Sequence, residues 1–251
     1  MSTIAITGKG GVGKTTISAL IIQWLTANGR TPVLAVDADS NANLHEALGI
    51  SYSATVGGIR EEARDKAKEL TGIAKQEFLD LQVQEALVEQ SGYDMIVMGR
   101  PEGQGCYCFA NNVLRDIIKR LSGNYRSIVV DSEAGLEHLS RRTLLTVDIL
   151  LIVSDCTVRG IRTAGRVAEL AAEMGTPVGR RGIIVNRVPE GELPPAIKAE
   201  VEATGLPLFA VIPMDPNVAA MDAGGMAIAD IPEDSAARVT INKLLEEVLA
   251  S

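Results

Sequence analysis

Seven short apolar runs punctuate the chain: TIAIT at 3–7, PVLAVD at 32–37, YDMIVMG at 93–99, RSIVVD at 126–131, ILLIVSD at 149–155, RGIIVN at 181–186 and LFAVIP at 208–213. They are apolar at nearly every position rather than at alternate ones, the pattern of strands buried on both faces. Between them lie longer segments with helical spacing of apolar residues, such as TISALIIQWLTANG at 16–29. The alternation predicts an α/β fold, a mainly parallel sheet of about seven strands with helices on both faces. In such a sheet the loops leaving the carboxyl ends of the strands gather on one edge, where ligands bind.

Two segments depart from the alternation. Residues 54–91 are charged and helical in period with no strand signal, and read as an insertion of two helices between the second and third strands, its charges a solvated face. The end of the chain, RVTINKLLEEVLAS, carries an apolar face of Val239, Leu244, Leu245 and Val248, opposite Glu246 and Glu247. A membrane-surface helix would want basic residues there, so the segment reads as a helix packed on the core.

Composition narrows the function classes. The 251 residues, 46% of them hydrophobic, suffice for one domain over 1–251. No run approaches the roughly 18 apolar residues of a membrane span, and MSTIAITGKGG already reads as a strand entering a loop, so a cytoplasmic protein without a signal peptide is expected. Three cysteines do not make a disulfide framework; reduced thiols or metal ligands are expected. A net charge of −8 with 3% aromatic residues opposes a phosphate backbone and leaves few stacking platforms. Neither nucleic acid nor membrane is the expected partner.

GKGGVGKTT, Gly8 to Thr16, joins the first strand to the first helix and has the G-x-x-x-x-G-K-T pattern of a P-loop in its required strand-loop-helix setting. Glycines let the backbone wrap tightly enough to aim amides at phosphate oxygens, here those of Gly10, Gly11, Val12, Gly13, Lys14, Thr15 and Thr16. Lys14 would neutralise the β- and γ-phosphates of ATP, and the Thr15 hydroxyl would coordinate Mg²⁺. Asp37 and Asp39 end the second strand and Asp131 the fourth, on the same edge, where carboxylates hold metal-bound water or orient a nucleophile. Asn186, leaving the sixth strand, can donate and accept together against an adenine edge.

Lys9 is a second lysine near the start of the loop, and KGGVGKT resembles the deviant Walker A signature of the nitrogenase iron protein, MinD and ParA class of ATPases. The resemblance implies that Lys9 reaches the nucleotide of a second subunit, that Asp39 orients the attacking water, and that Asp131 is the Walker B acid. It also implies a Gly135 amide near the γ-phosphate, and Pro213 and Asp215 around adenine and ribose, although turn chemistry alone accounts for prolines and asparagine there. The class commonly has proline where this chain has Ser40.

GCYC, with Cys106 and Cys108, follows the third strand. In extended backbone, side chains two apart share a side, so both sulfurs could face one soft metal at about 2.3 Å. One pair supplies two ligands, and a two-fold homodimer would supply four. Cys156 stands alone after a buried strand, where packing is the default. GCYC together with EAGLEHLSRRT after Asp131 resembles the CooC-type nickel-insertion ATPases. That likeness implies a homodimeric Mg-ATPase that binds Ni²⁺, or Zn²⁺ in its place, through both subunits' cysteines, and serves apo carbon monoxide dehydrogenase or acetyl-CoA synthase. The cysteine pattern alone leaves a bridging Fe-S cluster and an electron-transfer role open.

Overall fold

All seven apolar runs form strands. The computed structural model describes residues 1–58, 83–100, 107–133, 146–175 and 177–250. The strands are β1 (Ser2–Gly8), β2 (Val33–Ala38), β4 (Tyr93–Val97), β5 (Ser127–Ser132), β6 (Val147–Asp155), β7 (Val178–Val188) and β8 (Leu208–Pro213). An eighth, β3 (Val88–Glu89), pairs antiparallel with β4 at the sheet's edge. It corrects both the expected strand number and the reading of 54–91 as strandless: two residues on an edge carry no apolar run. Residues 83–86 are helical, and 59–82 of the expected insertion lie outside the described residues.

The order β3-β4-β2-β5-β1-β6-β7-β8 places β1 centrally, and every pairing other than β3 with β4 is parallel. Register does the rest. Asp37 lies opposite Asp131, Gly8 opposite Val153, and Asp155 opposite Asn186, so the exits of β1, β2, β5, β6 and β7 share one edge. β4, parallel to β2, opens its carboxyl end on that edge too.

Helices cover both faces. One apolar layer joins the sheet to α1 (Lys14–Ala27), α2 (Leu44–Leu48) and α7 (Ala236–Leu249); the other joins it to α3 (Tyr107–Leu121), α4 (Val158–Glu173) and α5 (Pro195–Ala203). α1 is buried around most of its circumference, as a helix of the sequence TISALIIQWL should be. α7 packs on the core as expected, through Ala237, Ile241, Leu244, Leu245 and Val248. Val239 does not join that stripe and is 51% exposed, because its position in the helical period falls on the solvent side. None of the described helices is long and apolar enough to cross a membrane.

Candidate nucleotide site

The strand-to-helix turn at Gly8 to Gly13 depends on what its glycines lack. A Cβ on Gly8 would lie 2.2 Å from the Val153 carbonyl oxygen, and one on Gly13 would lie 2.4 Å from Nδ2 of Asn186. Gly11 and Gly13 also hold φ of 77° and 94°, the left-handed region that glycine enters without penalty. Gly13 is the N-cap of α1 and supplies no side-chain cap, and the first turn holds no acidic residue. By contrast α4, α6 (Pro216–Gly224) and α7 are capped by Thr157, Asp215 and Ser235. The first amides of α1 are therefore left for an anion, with the positive end of the helix dipole behind them.

Lys14 is 8% exposed, and its Nζ donates to the Lys9 carbonyl at 3.2 Å. Burial lowers its pKa, while Asp131, Asp39 and Glu133 act to raise it. Thr15 Oγ1 donates to Asp131 Oδ2 at 2.7 Å, and Ser18 Oγ, one turn on, donates to Asp131 Oδ1 at 3.2 Å. Asp131 is 1% exposed and its pKa is pushed up to about 6, by burial first, against the Thr15, Lys14 and Ser18 interactions that lower it. A buried carboxylate beside a hydroxyl offers the oxygen ligands a hard divalent cation takes, so Thr15 and Asp131 are the residues that would hold Mg²⁺.

The two acids that end β2 separate in role. Asp37 is fully buried and accepts from the amides of Asp39 at 3.1 Å and Leu44 at 2.9 Å, anchoring α2. Burial, then the neighbouring Asp131, raises its pKa to about 7. Asp39 lines the cleft instead, its Oδ1 accepting from the amide and side chain of Asn41. Ser40 Oγ bonds Glu133 Oε1 at 3.3 Å, joining the loops after β2 and β5. The cleft over the P-loop has a volume of about 890 Å³ and is lined by Lys14, Thr15, Asp39, Glu133 and Arg187 among others.

A second cavity of about 250 Å³ adjoins it, walled by Thr16, Leu20, Asn186, Pro213, Asp215 and Val218. Asn186 Nδ2 donates to the Val12 carbonyl at 2.8 Å, and its Oδ1 accepts from the amide of Arg187 at 2.9 Å. Each end of the amide keeps one more hydrogen-bonding position, so the side chain is pre-oriented, not spent. Asp215 is committed differently: Oδ1 accepts from Asn217 N, and Oδ2 from Ser235 Oγ and Ala237 N, at 2.8, 2.5 and 2.9 Å. It contributes a wall rather than a free carboxylate.

Lys9 is exposed, next to Gly10 of the cleft lining. Cys106 and Gly135 lie outside the described residues. Cys108 falls in the first turn of α3, which begins at Tyr107, so the expectation of an extended backbone does not hold beyond Cys106. Cys156 is half-buried against the core. Among the described residues no group of three or more His, Cys, Asp or Glu side chains is placed to hold a metal ion. Sequence reasoning missed Ser18, Glu133 and Arg187. Ser18 was reachable, since it lies three residues after Thr15 on the same helix face; the other two depend on loop paths.

Residues 3–228 match the family described as the CobQ/CobB/MinD/ParA nucleotide binding domain. An uncharacterized ATP-binding protein of Methanocaldococcus jannaschii is 39% identical over 249 residues, 98% of each chain. The carbon monoxide dehydrogenase accessory protein CooC of Rhodospirillum rubrum is 35% identical over 187 residues, 68% of this chain and 70% of that one. Among solved structures, the septum site-determining protein MinD of Pyrococcus horikoshii, complexed with Mg-ADP, matches with a TM-score of 0.74 at 26% identity, covering 100% of this chain and 97% of the other.

Proposed function

The chain belongs to the CobQ/CobB/MinD/ParA nucleotide-binding family, and from that premise we propose that it is an ATP-hydrolysing nickel metallochaperone working as a homodimer. Its client is carbon monoxide dehydrogenase or acetyl-CoA synthase. The observation that carries the reading is the Cys106-x-Cys108 pair after β4, whose carboxyl end opens on the same sheet edge as the P-loop. The likeness to the carbon monoxide dehydrogenase accessory protein CooC supports the client class, and nickel comes only from the resemblance of GCYC and EAGLEHLSRRT to the CooC-type ATPases.

In this reading the amides from Gly10 to Thr16 and the Lys14 ammonium hold the phosphates of ATP. Thr15 Oγ1, oriented by Asp131, keeps lone pairs that would hold Mg²⁺, and Asp131 would support that site from behind the hydroxyl. Mg²⁺, when bound, neutralises charge on the phosphate oxygens. Asp39 orients the attacking water from its place on the cleft wall, Asn186 reads the base, and Pro213 and the backbone at Asp215 wall its cavity. Lys9 reaches the nucleotide of the second subunit, and the resemblance gives the Gly135 amide a role at the γ-phosphate. Nickel is cargo: the thiolates of Cys106 and Cys108 from both subunits take it up together, and Zn²⁺ can occupy the same set. A helix N-terminus such as that of α3 favours thiolate over thiol. Nucleotide-driven approach of the subunits assembles the site, and hydrolysis lets it open.

The test is an anaerobic titration with Ni²⁺ and with Zn²⁺, with and without ATP, read together with molecular mass. One metal per dimer, bound more tightly with ATP, is expected. Cys106→Ser with Cys108→Ser should abolish stoichiometric binding while leaving ADP binding intact, and full metal retention in that variant would sink the assignment. A brown protein that carries iron and absorbs broadly near about 400 nm would favour the Fe-S reading instead. Asp39→Ala should bind ATP and dimerise without turnover; hydrolysis at the wild-type rate would remove Asp39 from its role.

A further inference from the structure

The arm of the P-loop that carries Lys9 lies at the surface. Lys9, Gly10 and Gly11 are exposed, and a Cβ built on Gly11 would meet nothing within 4 Å. Side-chain donors to its carbonyl groups anchor it. Lys14 Nζ reaches the carbonyl of Lys9 at 3.2 Å, Arg187 NH1 that of Gly11 at 3.1 Å, and Asn186 Nδ2 that of Val12 at 2.8 Å.

These anchors differ in what nucleotide binding asks of them. In the reading above Lys14 divides its ammonium between the arm and phosphate oxygens, and Asn186 divides its amide between Val12 and the base. Arg187 is the one of the three to which that reading gives no part in holding the nucleotide, and the backbone is built to aim it at the arm. β7 and β8 pair Val185 with Val211 and Val188 with Pro213, so Asn186 and Arg187 form a bulge in β7. Bulges re-aim side chains and recur beside functional sites. Arg187 also sits at φ 57°, a left-handed conformation sparsely populated by residues other than glycine. Its amide is secured to Asn186 Oδ1, and it borders both the phosphate cleft and the base cavity.

We propose that Arg187 is the positioning residue of the Lys9 to Gly11 arm: the β7 bulge aims its guanidinium at the Gly11 carbonyl and thereby sets where Lys9 is presented to a second copy's nucleotide. This rests on the reading above of Lys9 as a residue acting across the dimer. Arg187 acts through the arm and not on the reacting atoms.

Arg187→Gly separates the side chain from the strained backbone, because glycine adopts the left-handed conformation freely. In that variant kcat for ATP hydrolysis should fall roughly tenfold with KM for ATP within about twofold, since misplacement of a catalytic group costs rate rather than ground-state binding. Amide exchange at Gly10 to Gly13 should quicken, while the thermal midpoint holds or rises. Arg187→Lys, which keeps a donor on a flexible stem, should recover part of kcat and part of the exchange protection. Unchanged kcat and unchanged exchange in Arg187→Gly would overturn the proposal, as would a fall in kcat matched by a fall in thermal midpoint and no change at Gly10 to Gly13. If the wild-type protein does not hydrolyse ATP, the functional reading fails, and the exchange comparison still decides whether Arg187 holds the arm.

Discussion

Asp37 and Asp131 face each other across adjacent strands, both buried, with pKa values raised to about 7 and about 6 from an ordinary 3.8. Each binds its proton more tightly in the folded chain than in the unfolded one. Folding therefore takes up protons between about pH 4 and pH 7, and this pair's contribution to stability falls as pH rises through that window. Asp215 works in the opposite sense: burial pushes its pKa up, but bonds from Ala237, Ser235 and Asn217 outweigh that and leave it lowered, so its contribution is lost in acid. Urea midpoints measured from pH 5 to pH 8 should decline more steeply for the wild type than for Asp37→Asn, which removes one member of the pair; parallel slopes would contradict the paired burial. Gly13 makes a second residue-level case. Alanine there meets Asn186 Nδ2 at 2.4 Å in a backbone that alanine resists, so Gly13→Ala should weaken ADP binding at least roughly tenfold by fluorescence titration.

At the scale of elements, legibility followed apolar continuity. β1, β2, β5 and β6 were readable because three or more consecutive buried positions leave a run that polar segments do not imitate. β3 left no such trace, and the β7 bulge was invisible because Asn186 and Arg187 look like the polar end of a strand. The P-loop was readable for a different reason: its glycines answer to local backbone geometry, which short spacing encodes. Asp215 shows the limit. Its turn chemistry with Pro216 and Asn217 was apparent, but its bonds to Ser235 and Ala237 span about twenty residues and make one carboxylate the cap of α6 and a support for the start of α7. Loss of both should cost about 1 to 4 kcal/mol, the sum of two capping interactions. Asp215→Ala should accordingly lower urea stability beyond Ser235→Ala, which removes one donor to that carboxylate and the cap on the Arg238 amide but leaves the α6 cap and the Ala237 bond in place; equal losses would show that the Asp215 carboxylate does not join the two helix starts.

At the scale of the whole molecule, the cleft edge is built unequally within one chain. Asp39 lines the cleft of its own P-loop and acts against the burial that lowers the pKa of its own Lys14, whereas Lys9 is exposed outside the cleft lining. Met214 and Met226, 61% and 54% exposed, line the two cavities on that edge. If Asp39 serves its own nucleotide and Lys9 the partner's, two different inactive proteins should complement each other. In a mixed dimer of Lys9→Ala and Asp39→Ala subunits, the nucleotide held by the Lys9→Ala subunit has its own Asp39 and receives Lys9 from the other chain. The second nucleotide lacks both. Random mixing makes half the dimers mixed, each with one working site of two, so an equimolar mixture of silent variants should recover roughly a quarter of the wild-type rate. A mixture that stays silent while mass measurement shows mixed dimers would place Lys9 at its own nucleotide, and the dimer would then have to control hydrolysis by some route other than an exchanged lysine.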